Sequence, residues 1–278
     1  MNRLISIELQ KIWKNKASKV LTLTYFILLS FIALIASIKF NLGIFKFHLA
    51  EMGIFNFPFI WHFNTFIAAF LKFFLAIVIV SMMANEYSYG TLKQNLIDGL
   101  SKKEFILSKF LTVVLFALCS TIFVFVMSLI LGLCFSSYTE VGIIFTDLEY
   151  LLAFFVKLTG FFSFCLFLGI LVKRSAFALG FLLVWSIIEG IIKGLLAFKI
   201  FPDSNTDDFV MQFLPLEAMS NLIIEPFTRL SVIKTIGTQI GVEGTKDYGV
   251  HSLSVLIVLV WTFLFVYFSY KLLKSRDL

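Results

Sequence analysis

Two oppositely charged residues lie four positions apart inside an apolar run, where a charge is expected to serve either chemistry or packing. Glu189 and Lys193 would share one face of a helix over the run at about 176–198. Each charge costs about 2.5–3.5 kcal/mol at the centre of a bilayer, so it needs a partner or water there. Gly190 and Gly194 lie on the same turn and would let a second helix approach closely. The pattern predicts either an ion pair that stabilises the fold or a face that lines a subunit interface or a translocation path.

The other polar residues inside apolar runs indicate no enzyme or metal site. Lys72 and Lys157 lie within such runs, and we expect their long side chains to reach protein partners or lipid head groups rather than a substrate. The three cysteines lie in apolar runs without a CxxC spacing, and the three histidines lie far apart, so no metal site is predicted. The runs hold one acidic residue and no central histidine, which argues against an intramembrane enzyme.

The composition is that of a membrane protein rather than a soluble domain. Of the 278 residues, 60% are hydrophobic and 14% are charged, whereas a soluble domain carries about 25% charged residues. Six runs are long enough to cross about 30 Å of hydrocarbon as helices, which close their backbone hydrogen bonds internally. These runs lie at about 20–38, 63–84, 108–135, 150–172, 176–198 and 251–271. The predicted fold class is an all-α membrane protein with six transmembrane helices in a single domain over residues 1–278.

The positions of the lysines and arginines predict the orientation of the chain. Of the 23 basic residues, 14 lie in the N-terminal segment, the passage after the second run, the connection between the fourth and fifth runs, and the C-terminal tail. The opposite side holds six, and three lie within the runs. The positive-inside rule then places both termini in the cytoplasm. Because the basic residues alternate with the spans instead of forming one surface, no nucleic-acid partner is expected.

Two segments outside the spans are predicted to form amphipathic helices. The first, at 1–19, has apolar residues at helical spacing between basic residues that include Lys14, as in helices that lie in the membrane interface. Its apolar residues are Ile5, Leu9, Ile12 and Trp13. The alternative is a plain positive flank of the first span. The second is the acidic outer segment at about 200–250, where apolar residues again recur at helical spacing.

A polar passage, NEYSYGTLKQNLIDGLSKKEF, separates the second and third runs. Thr91 and Gln94 have the spacing of a capping box, which would start a short helix with leucines four positions apart. Gly99 would end this helix in the left-handed conformation. Ser101 and Glu104 form a second capping box, and the helix that it starts would run about 33 residues and overshoot the bilayer. The pattern predicts a stiff cytoplasmic connector, with an ordinary interfacial hairpin as the alternative.

The extended passage NEYSYGTLKQNLIDGLSKKEFILSK resembles the sequence after the second span of ABC-2-type permeases, the membrane subunits of bacterial ATP-binding cassette exporters. That pattern is a Glu, then Gly-Thr-Leu a few residues later, then a Ser-Lys or Ser-Arg pair that leads into the third span. The matching residues here are Glu86, Gly90, Thr91, Leu92, Ser101 and Lys102. The six spans, the cytoplasmic termini, the basic N-terminal helix and the long outer segment also fit, and the specific match is confined to about 85–109.

The resemblance implies the permease subunit of an exporter, as a multi-pass protein of the bacterial plasma (inner) membrane. Two permease subunits, either two copies or a paired permease, would form the translocation path, and a separate ATP-binding subunit would drive it. The residues that would couple to that subunit are Glu86, Tyr87, Gly90, Thr91, Leu92 and Leu96. The interface helix, with Trp13 and Lys14, would lie in membrane lipid and seat against the same subunit. The sequence has no P-loop (GxxxxGK followed by Ser or Thr), so the partner would bind and hydrolyse ATP, and this chain is expected to bind no cofactor directly and not to be an enzyme.

Two other functions stay open from the sequence. An ion-coupled secondary transporter would use Glu189 and Lys193, although such transporters have inverted repeats and broken helices at the midplane that this sequence does not show. A membrane immunity or assembly factor without transport activity would share the same spans. Since ABC-2-type permeases export drugs, peptides, lipids and ions, the resemblance implies no particular substrate.

Overall fold

The computed structural model describes residues 2–38, 40–42, 45–47, 52–200, 206–230 and 247–276. The first elements are helices α1 (Asn2–Lys14) and α2 (Lys16–Ser37) and the antiparallel strands β1 (Phe40–Leu42) and β2 (Phe45–Phe47). They are followed by α3 (Phe59–Phe70), α4 (Lys72–Ser88), α5 (Thr91–Ile97), α6 (Lys102–Phe135), α7 (Val141–Ile144) and α8 (Glu149–Val172). The last elements are α9 (Ser175–Leu195), a π-helical extension (Leu196–Ile200), α10 (Thr206–Met211), α11 (Pro215–Asn221), a 3-10 turn (Phe227–Arg229) and α12 (Ser252–Lys274). The described chain is therefore a helical bundle with one short hairpin, which confirms the predicted helical class.

Within the described residues, five helical stretches are individually long and apolar enough to cross a membrane. They are Lys16–Ser37, Lys102–Phe135, Val141–Val172, Ser175–Ile200 and Ser252–Lys274. Helices α3 and α4 make a sixth if the two count as one span, with a bend of 46° between them. All six overlap the predicted apolar runs. By the length and composition of its helices, the chain is a multi-pass membrane protein.

The second run is not the single straight helix that its sequence predicts over 63–84. It begins four residues earlier, and it breaks at Leu71, whose N–H donates to the carbonyl of Ala68, three residues back. This tighter turn interrupts the α-helical ladder, and α4 restarts at Lys72. The break brings the Lys72 ammonium over the ring of Phe161, 4.3 Å from its centroid.

The centre of the bundle is α8, which packs against α3, α4, α6, α9 and α12. In its most apolar stretch of 18 residues, 83% of the residues are buried, whereas the corresponding share is only 17–28% in the other four single spans. Two glycines let its neighbours approach closely. A Cβ atom on Gly160 would lie 2.8 Å from Cγ1 of Val258 in α12, and one on Gly169 would lie 3.0 Å from Cβ of Met83 in α4. Helix α8 is thus the scaffold on which the outer helices are placed.

The N-terminal segment is two helices rather than the single one predicted over 1–19. Helix α1 ends at Lys14, and the side chain of Asn15 accepts a hydrogen bond from the N–H of Ser18 at 3.2 Å. This cap starts α2 and satisfies one of its free N–H groups. The first span accordingly begins at Lys16, four residues before its predicted start.

The connector between α4 and α6 consists of a break, a short helix and a second break, as its sequence predicts. Gly90 (φ 67°) precedes α5 and Gly99 (φ 96°) follows it, and both adopt the left-handed conformation that glycine tolerates best. The predicted capping box at Ser101 is present, because its side chain and that of Glu104 each accept the backbone N–H of the other residue. Helix α6 then runs for 34 residues, which corresponds to about 51 Å.

The other predicted capping box, at Thr91 and Gln94, is wrong. The residue that precedes α5 is Gly90, which makes no side-chain cap. The Thr91 hydroxyl donates instead to Oε2 of Glu86 at 2.5 Å. In a capping box the threonine oxygen would accept an N–H from the first turn of the helix, whereas here the hydroxyl donates to a charged carboxylate, which makes a stronger hydrogen bond and turns the threonine back towards α4.

The described part of the predicted outer segment forms short helices, as expected. Helix α11 has Pro215 in its first turn, where a missing N–H costs nothing. Met219 and Ile223, two residues of the apolar repeat, are buried against the bundle. The parts of the same segment at 201–205 and 231–246 lie outside the described residues, so the expectation stays a prediction there.

Candidate functional site

Four charged side chains meet where α1, the end of α4 and the start of α6 come together. We call Glu8, Lys11, Glu86 and Lys109 the charge cluster. Lys109 Nζ lies 2.5 Å from Oε2 of Glu8 and 2.5 Å from Oε1 of Glu86. Lys11 Nζ lies 2.8 Å from Oε1 of Glu86 and 3.3 Å from Oε1 of Glu8. Since each ammonium contacts both carboxylates, the cluster is electrically balanced and joins three helices.

Three members of the charge cluster are deeply buried. Lys109 has 0% of its surface exposed, Glu86 has 2% and Glu8 has 4%. Removal of one partner from a buried ion pair costs about 3–5 kcal/mol, because the other charge is left uncompensated. The cluster therefore holds the three helices in one arrangement, and its members depend on one another.

Lys11 is the member of the cluster that solvent reaches best, and its pKa follows from its neighbours. Burial lowers this pKa, but the hydrogen bond that Lys11 donates to Glu86 and the negative charges of Glu8 and Glu86 raise it by more. The net result is a pKa above the usual lysine value of 10.5. Lys11 thus carries its positive charge throughout the neutral pH range.

Helix α5 is anchored on the charge cluster at its first residue. The Thr91 hydroxyl donates to Glu86, so this one carboxylate contacts both lysines of the cluster and the start of α5. Leu92 is 2% exposed, and Leu96 packs partly buried against the core. The opposite surface of the connector is open, since Tyr89 is 74% and Ile97 is 75% exposed. The helix is therefore held by its leucines, and the connector presents Tyr89, just before α5, and Ile97, at the end of α5, outward.

Tyr87, another predicted coupling residue, contacts the C-terminal tail rather than the charge cluster. Its hydroxyl accepts a hydrogen bond from Nη1 of Arg276 at 3.3 Å, and the ammonium of Lys173 lies 5.6 Å from its ring centroid. Arg276 also donates to the carbonyls of Ile170 and Leu171 at the end of α8, at 2.6 and 3.0 Å. These contacts tie the end of α12 to α4 and α8 and satisfy carbonyls that a helix terminus leaves unpaired.

A cavity of about 400 Å³ opens beside the charge cluster. It lies between α1, the start of α2, the end of α4 and α5. Its polar lining includes Glu8, Lys11, Lys14, Asn15, Glu86 and Thr91. The cluster is thereby accessible from one side although most of its atoms are buried.

Of the two residues predicted for the interface helix, Lys14 lines this cavity, and Trp13 lies on another face of α1 with 54% of its surface exposed.

The intramembrane pair predicted from Glu189 and Lys193 is not formed as an ion pair. Oε1 of Glu189 accepts hydrogen bonds from Nε1 of Trp185 at 2.6 Å and from the N–H of Leu216 at 3.2 Å, and Oε2 accepts from the N–H of Glu217 at 2.9 Å. The last two donors belong to the first turn of α11. Free N–H groups at a helix N-terminus attract a carboxylate, and they take the place of the lysine.

Lys193 pairs instead with Glu217 of α11, so both charges of α9 hold the same short helix. Gly190 and Gly194, on the same turn, face open space, because a Cβ atom on either one would meet no atom within 4 Å. The close helix approach that these glycines permit is therefore not used within the described chain.

The two other lysines of the apolar runs also contact protein groups. Lys72 lies over Phe161, and Lys157 donates a hydrogen bond to the carbonyl of Ser220 at 3.3 Å. The carbonyl belongs to the last turn of α11, where the partial negative charge of the helix favours a cation. Lys72 and Lys157 thus act on packing and on the position of α11.

A second polar cluster lies between α3, α8 and the segment after α11. Nε2 of His62 is 2.7 Å from the carbonyl of Ile224, so this nitrogen carries the proton, and Nδ1 accepts from Arg229 at 3.0 Å. The His62 ring stacks on Tyr150 with a centroid distance of 4.2 Å, and the Tyr150 hydroxyl donates to the carbonyl of Tyr248. These contacts fasten the described segments 206–230 and 247–251 to the bundle.

Glu8, Lys11 and Lys109 are not predicted from the sequence as parts of a site, where the two lysines serve only to indicate the orientation of the chain. A signal was present in Glu8, which is the one acid in an otherwise basic amphipathic helix, and in Lys109, which follows the predicted start of a span at 108. Pairing across 101 residues of sequence, as between Glu8 and Lys109, is set by the fold and not by local spacing.

The helices and the charge cluster define a multi-pass helical membrane protein with a buried ionic network near its termini. Residues 25–278 match the family described as "Protein of unknown function (DUF2705)", and the chain belongs to that family. The matched residues include Glu86 and Lys109, whereas Glu8 and Lys11 precede them. The chain is also similar to "Uncharacterized protein YhcI" of Bacillus subtilis (strain 168), with 39% identity over 62 residues. That match covers 22% of this chain and 20% of YhcI, so the chain spans about a fifth of the length of this relative.

Proposed function

We propose that this chain is the membrane permease subunit of an ATP-binding cassette exporter, with α5 as the element that contacts a separate ATP-binding subunit. One observation carries the proposal. Glu86, the acid of the passage that resembles ABC-2-type permeases, is a single carboxylate that contacts Thr91 at the start of α5, Lys11 in α1 and Lys109 in α6. A displacement of α5 would therefore be passed directly to two other helices, which is the task of a coupling element.

The outward surface of the connector suits a protein partner. Tyr89 and Ile97 are each about three-quarters exposed, at 74% and 75%. Aromatic side chains that are open on the surface and rigidly held are the usual anchors of protein interfaces. Leu92 and Leu96 hold the helix from below, so the anchors need little ordering on binding. Gly90, in its left-handed conformation, sets the angle at which α5 leaves α4.

The proposed topology has six spans with both termini in the cytoplasm of a bacterial cell, in the plasma membrane. The bent pair of α3 and α4 is then the second span, and α1 lies in the membrane interface. The excess of lysine and arginine in the terminal segments and the α4–α6 connector supports this orientation. It places the charge cluster and α5 on the side where ATP is available. ATP hydrolysis is assigned to the partner subunit, and this chain contributes the path.

A second permease subunit is part of the proposal, either another copy of this chain or a paired permease. Helix α9 supports a second permease subunit, because only 17% of the residues in its most apolar stretch are buried within the chain. Ile187 and Ile191 are 60% and 57% exposed on this helix, and Gly190 and Gly194 leave room for a close neighbour. We assign this face to the contact between the two permeases.

The contacts of Glu189 weigh against the alternative of an ion-coupled transporter. Its carboxylate already accepts three hydrogen bonds, two of them from the first turn of α11. A coupling carboxylate has to exchange a proton or a cation during each cycle. Glu189 is better suited to position α11 against α9. An immunity or assembly factor without transport activity would not need a short helix that is exposed to solvent and anchored on an ionic network.

The experiment that tests the proposed function is co-purification from membranes. The chain is co-expressed with candidate ATP-binding subunits from the same organism, and the retained subunit and its ATP hydrolysis are measured. Tyr89→Asp combined with Ile97→Asp should lower the affinity for the subunit about 30-fold, which corresponds to about 2 kcal/mol for loss of two interface anchors. The matched control is Tyr138→Asp with Val141→Asp, whose side chains are 52% and 69% exposed beyond the other end of α6.

The control variant should retain the ATP-binding subunit at the level of the parent chain. If no ATP-binding subunit co-purifies with the parent chain, and its ATP hydrolysis does not respond to the chain, the permease assignment is wrong. If the subunit binds but the Tyr89 and Ile97 variant binds it equally well, the docking role of α5 is wrong.

A further inference from the structure

A wide apolar groove lies on the opposite face of α1 from the charge cluster. Its volume is about 690 Å³, within the range of about 300–1,000 Å³ that is usual for small-molecule sites. It lies between α1, α2 and α6 and is open on one side. The side chains that make its walls include Ile5, Leu9, Trp13, Phe26, Phe116 and Cys119. We call this cavity the α1 groove.

The α1 groove exists because α1 divides its side chains between two surfaces. Glu8 and Ile12, at 4% and 5% exposure, pack against the bundle. Leu9 and Trp13, four residues apart, are 37% and 54% exposed and turn towards the groove. The apolar face that the sequence assigns to the membrane is thus left partly uncovered, next to helices long enough to span a bilayer. A hydrocarbon chain fits this environment better than water does.

A cation lies beside Trp13, one of the residues that line the groove. Lys19 Nζ is 5.2 Å from the centroid of the Trp13 ring, which lines the groove. On α2, Lys19 is followed at three and seven positions by Thr22 and Phe26, so these side chains share one face and lead from the ammonium into the apolar interior. The groove is therefore amphipathic, with a positive charge and an indole at its mouth and hydrocarbon beyond them.

The charge at the mouth is not balanced by the acid on α1. Glu8 is committed to Lys109 and Lys11 on the other face of the helix. The mouth lies instead at the junction of α1 and α2, where Lys16 and Lys19 are three positions apart on α2. An occupant with an acyl chain and an anionic head would satisfy both parts of this site.

We propose that the α1 groove binds one anionic phospholipid, with an acyl chain between α1, α2 and α6 and its phosphate beside Lys19. The assignment rests on the membrane placement of α1 and does not depend on an ATP-binding partner. This site differs from a general coat of lipid in two respects. It prefers an anionic head group, and the bound lipid shields only residues of the groove from a reagent.

The chain carries its own reporters for this site. Cys119 lines the groove and is exposed, and Cys134 is exposed on the same helix, four turns further along and outside the groove. The purified chain in detergent is treated with a maleimide while phosphatidylglycerol or phosphatidylcholine is added. Phosphatidylglycerol should slow the alkylation of Cys119 and leave that of Cys134 unchanged. Lys19→Gln should weaken the protection by phosphatidylglycerol about fivefold, the effect of one lysine on an anionic lipid.

The control for charge is Lys103→Gln, which changes an exposed lysine at the start of α6, far from the groove lining. Phosphatidylglycerol should protect Cys119 in this variant as it does in the parent chain. Inorganic phosphate, which has the charge without the acyl chain, should not protect Cys119. Equal protection by phosphatidylcholine, or equal protection of Cys134, would overturn the proposal in favour of unselective lipid coverage. Protection by phosphate alone would also overturn it.

A second measurement does not depend on the thiol reaction. Cys119→Trp fills the groove, and Cys134→Trp adds the same bulk to α6 outside it. Mass spectrometry of the purified variants should show phosphatidylglycerol retained by the Cys134 variant and lost from the Cys119 variant. Retention of the same lipid by both variants contradicts the proposed position of the acyl chain.

Discussion

Replacement of Lys109 by methionine is the sharpest test of the charge cluster. Methionine has nearly the volume of lysine but no ammonium, so the carboxylates of Glu8 and Glu86 would lose the partner that lies 2.5 Å from each of them. Both acids are buried, at 4% and 2% exposure, and Lys109 is at 0%, so little water contacts these groups in the folded chain. The cost of such an uncompensated buried charge is about 3–5 kcal/mol.

The expected loss is large enough to measure by thermal unfolding in detergent. A destabilisation of 1 kcal/mol lowers the Tm of a chain of about this size by about 2–4 °C, so Lys109→Met should lower it by about 6–20 °C. The matched control is Lys103→Met in the first turn of the same helix, where the side chain is exposed. Exposed substitutions of this kind change stability by less than about 0.5 kcal/mol.

A combined variant separates the loss of a charge partner from the loss of packing. Glu8→Gln, Glu86→Gln and Lys109→Met together remove the buried charges that face one another, and Lys11, with 37% of its side chain exposed, can turn to solvent. The combined variant should be more stable than Lys109→Met alone, although it carries two more substitutions. If it is equally unstable or less stable, the stabilisation comes from the shape of these side chains and the electrostatic reasoning is refuted.

Two further predictions concern the pH dependence of the cluster and the packing of α8. Because the pKa of Lys11 is raised above 10.5, its contribution to stability is complete below that pH and is lost as the pH rises through the folded-state value. The Tm should therefore fall above about pH 10.5, and Lys11→Arg should reduce that fall because arginine stays protonated. Gly160→Ala should lower the stability by about 1–3 kcal/mol in thermal unfolding, because the new Cβ would lie 2.8 Å from Val258. Adding Val258→Ala should restore part of that loss.

Each of these predictions has its own control. For the pH profile, the control is Lys14→Arg on the exposed side of the same helix, which should leave the alkaline fall unchanged. If Lys11→Arg does not reduce the fall in Tm at alkaline pH, that fall is caused by other titratable groups. For the packing of α8, Gly180→Ala should be neutral or stabilising, because no atom lies within 4 Å of its Cβ and alanine favours a helix. Equal effects at Gly160 and Gly180 would show that α12 yields to the new methyl group.

The helices were predictable because hydrocarbon imposes a simple rule on sequence. A run of about 20 apolar residues has few alternatives to a spanning helix, and all six runs are helical. The break at Leu71 was not predictable in this way, since the run from 63 to 84 contains no proline or glycine to mark it. The break places Lys72 over Phe161, which belongs to another helix, and spacing within the run does not specify such a contact.

The site was predictable only in its local parts. The glycines at 90 and 99 and the capping box at Ser101 are set by spacing within a few residues, and the structure confirms them. The partners of Glu86 and Glu189 are set by residues of other helices. A carboxylate takes the strongest donors within reach, and these are Lys109 for Glu86 and the first turn of α11 for Glu189. Spacing along the chain contains no information about such donors.

Helix α1 takes part in both the proposed coupling element and the proposed lipid site. Its inner face carries Glu8 and Lys11, which hold the carboxylate on which α5 is anchored. Its other face, with Leu9 and Trp13, lines the groove that we assign to an anionic phospholipid. A ligand that binds one arrangement of α1 more tightly than another must shift the equilibrium between them. Lipid in the groove and an ATP-binding subunit on α5 would then influence each other's binding by the same factor, since coupling between two sites is reciprocal.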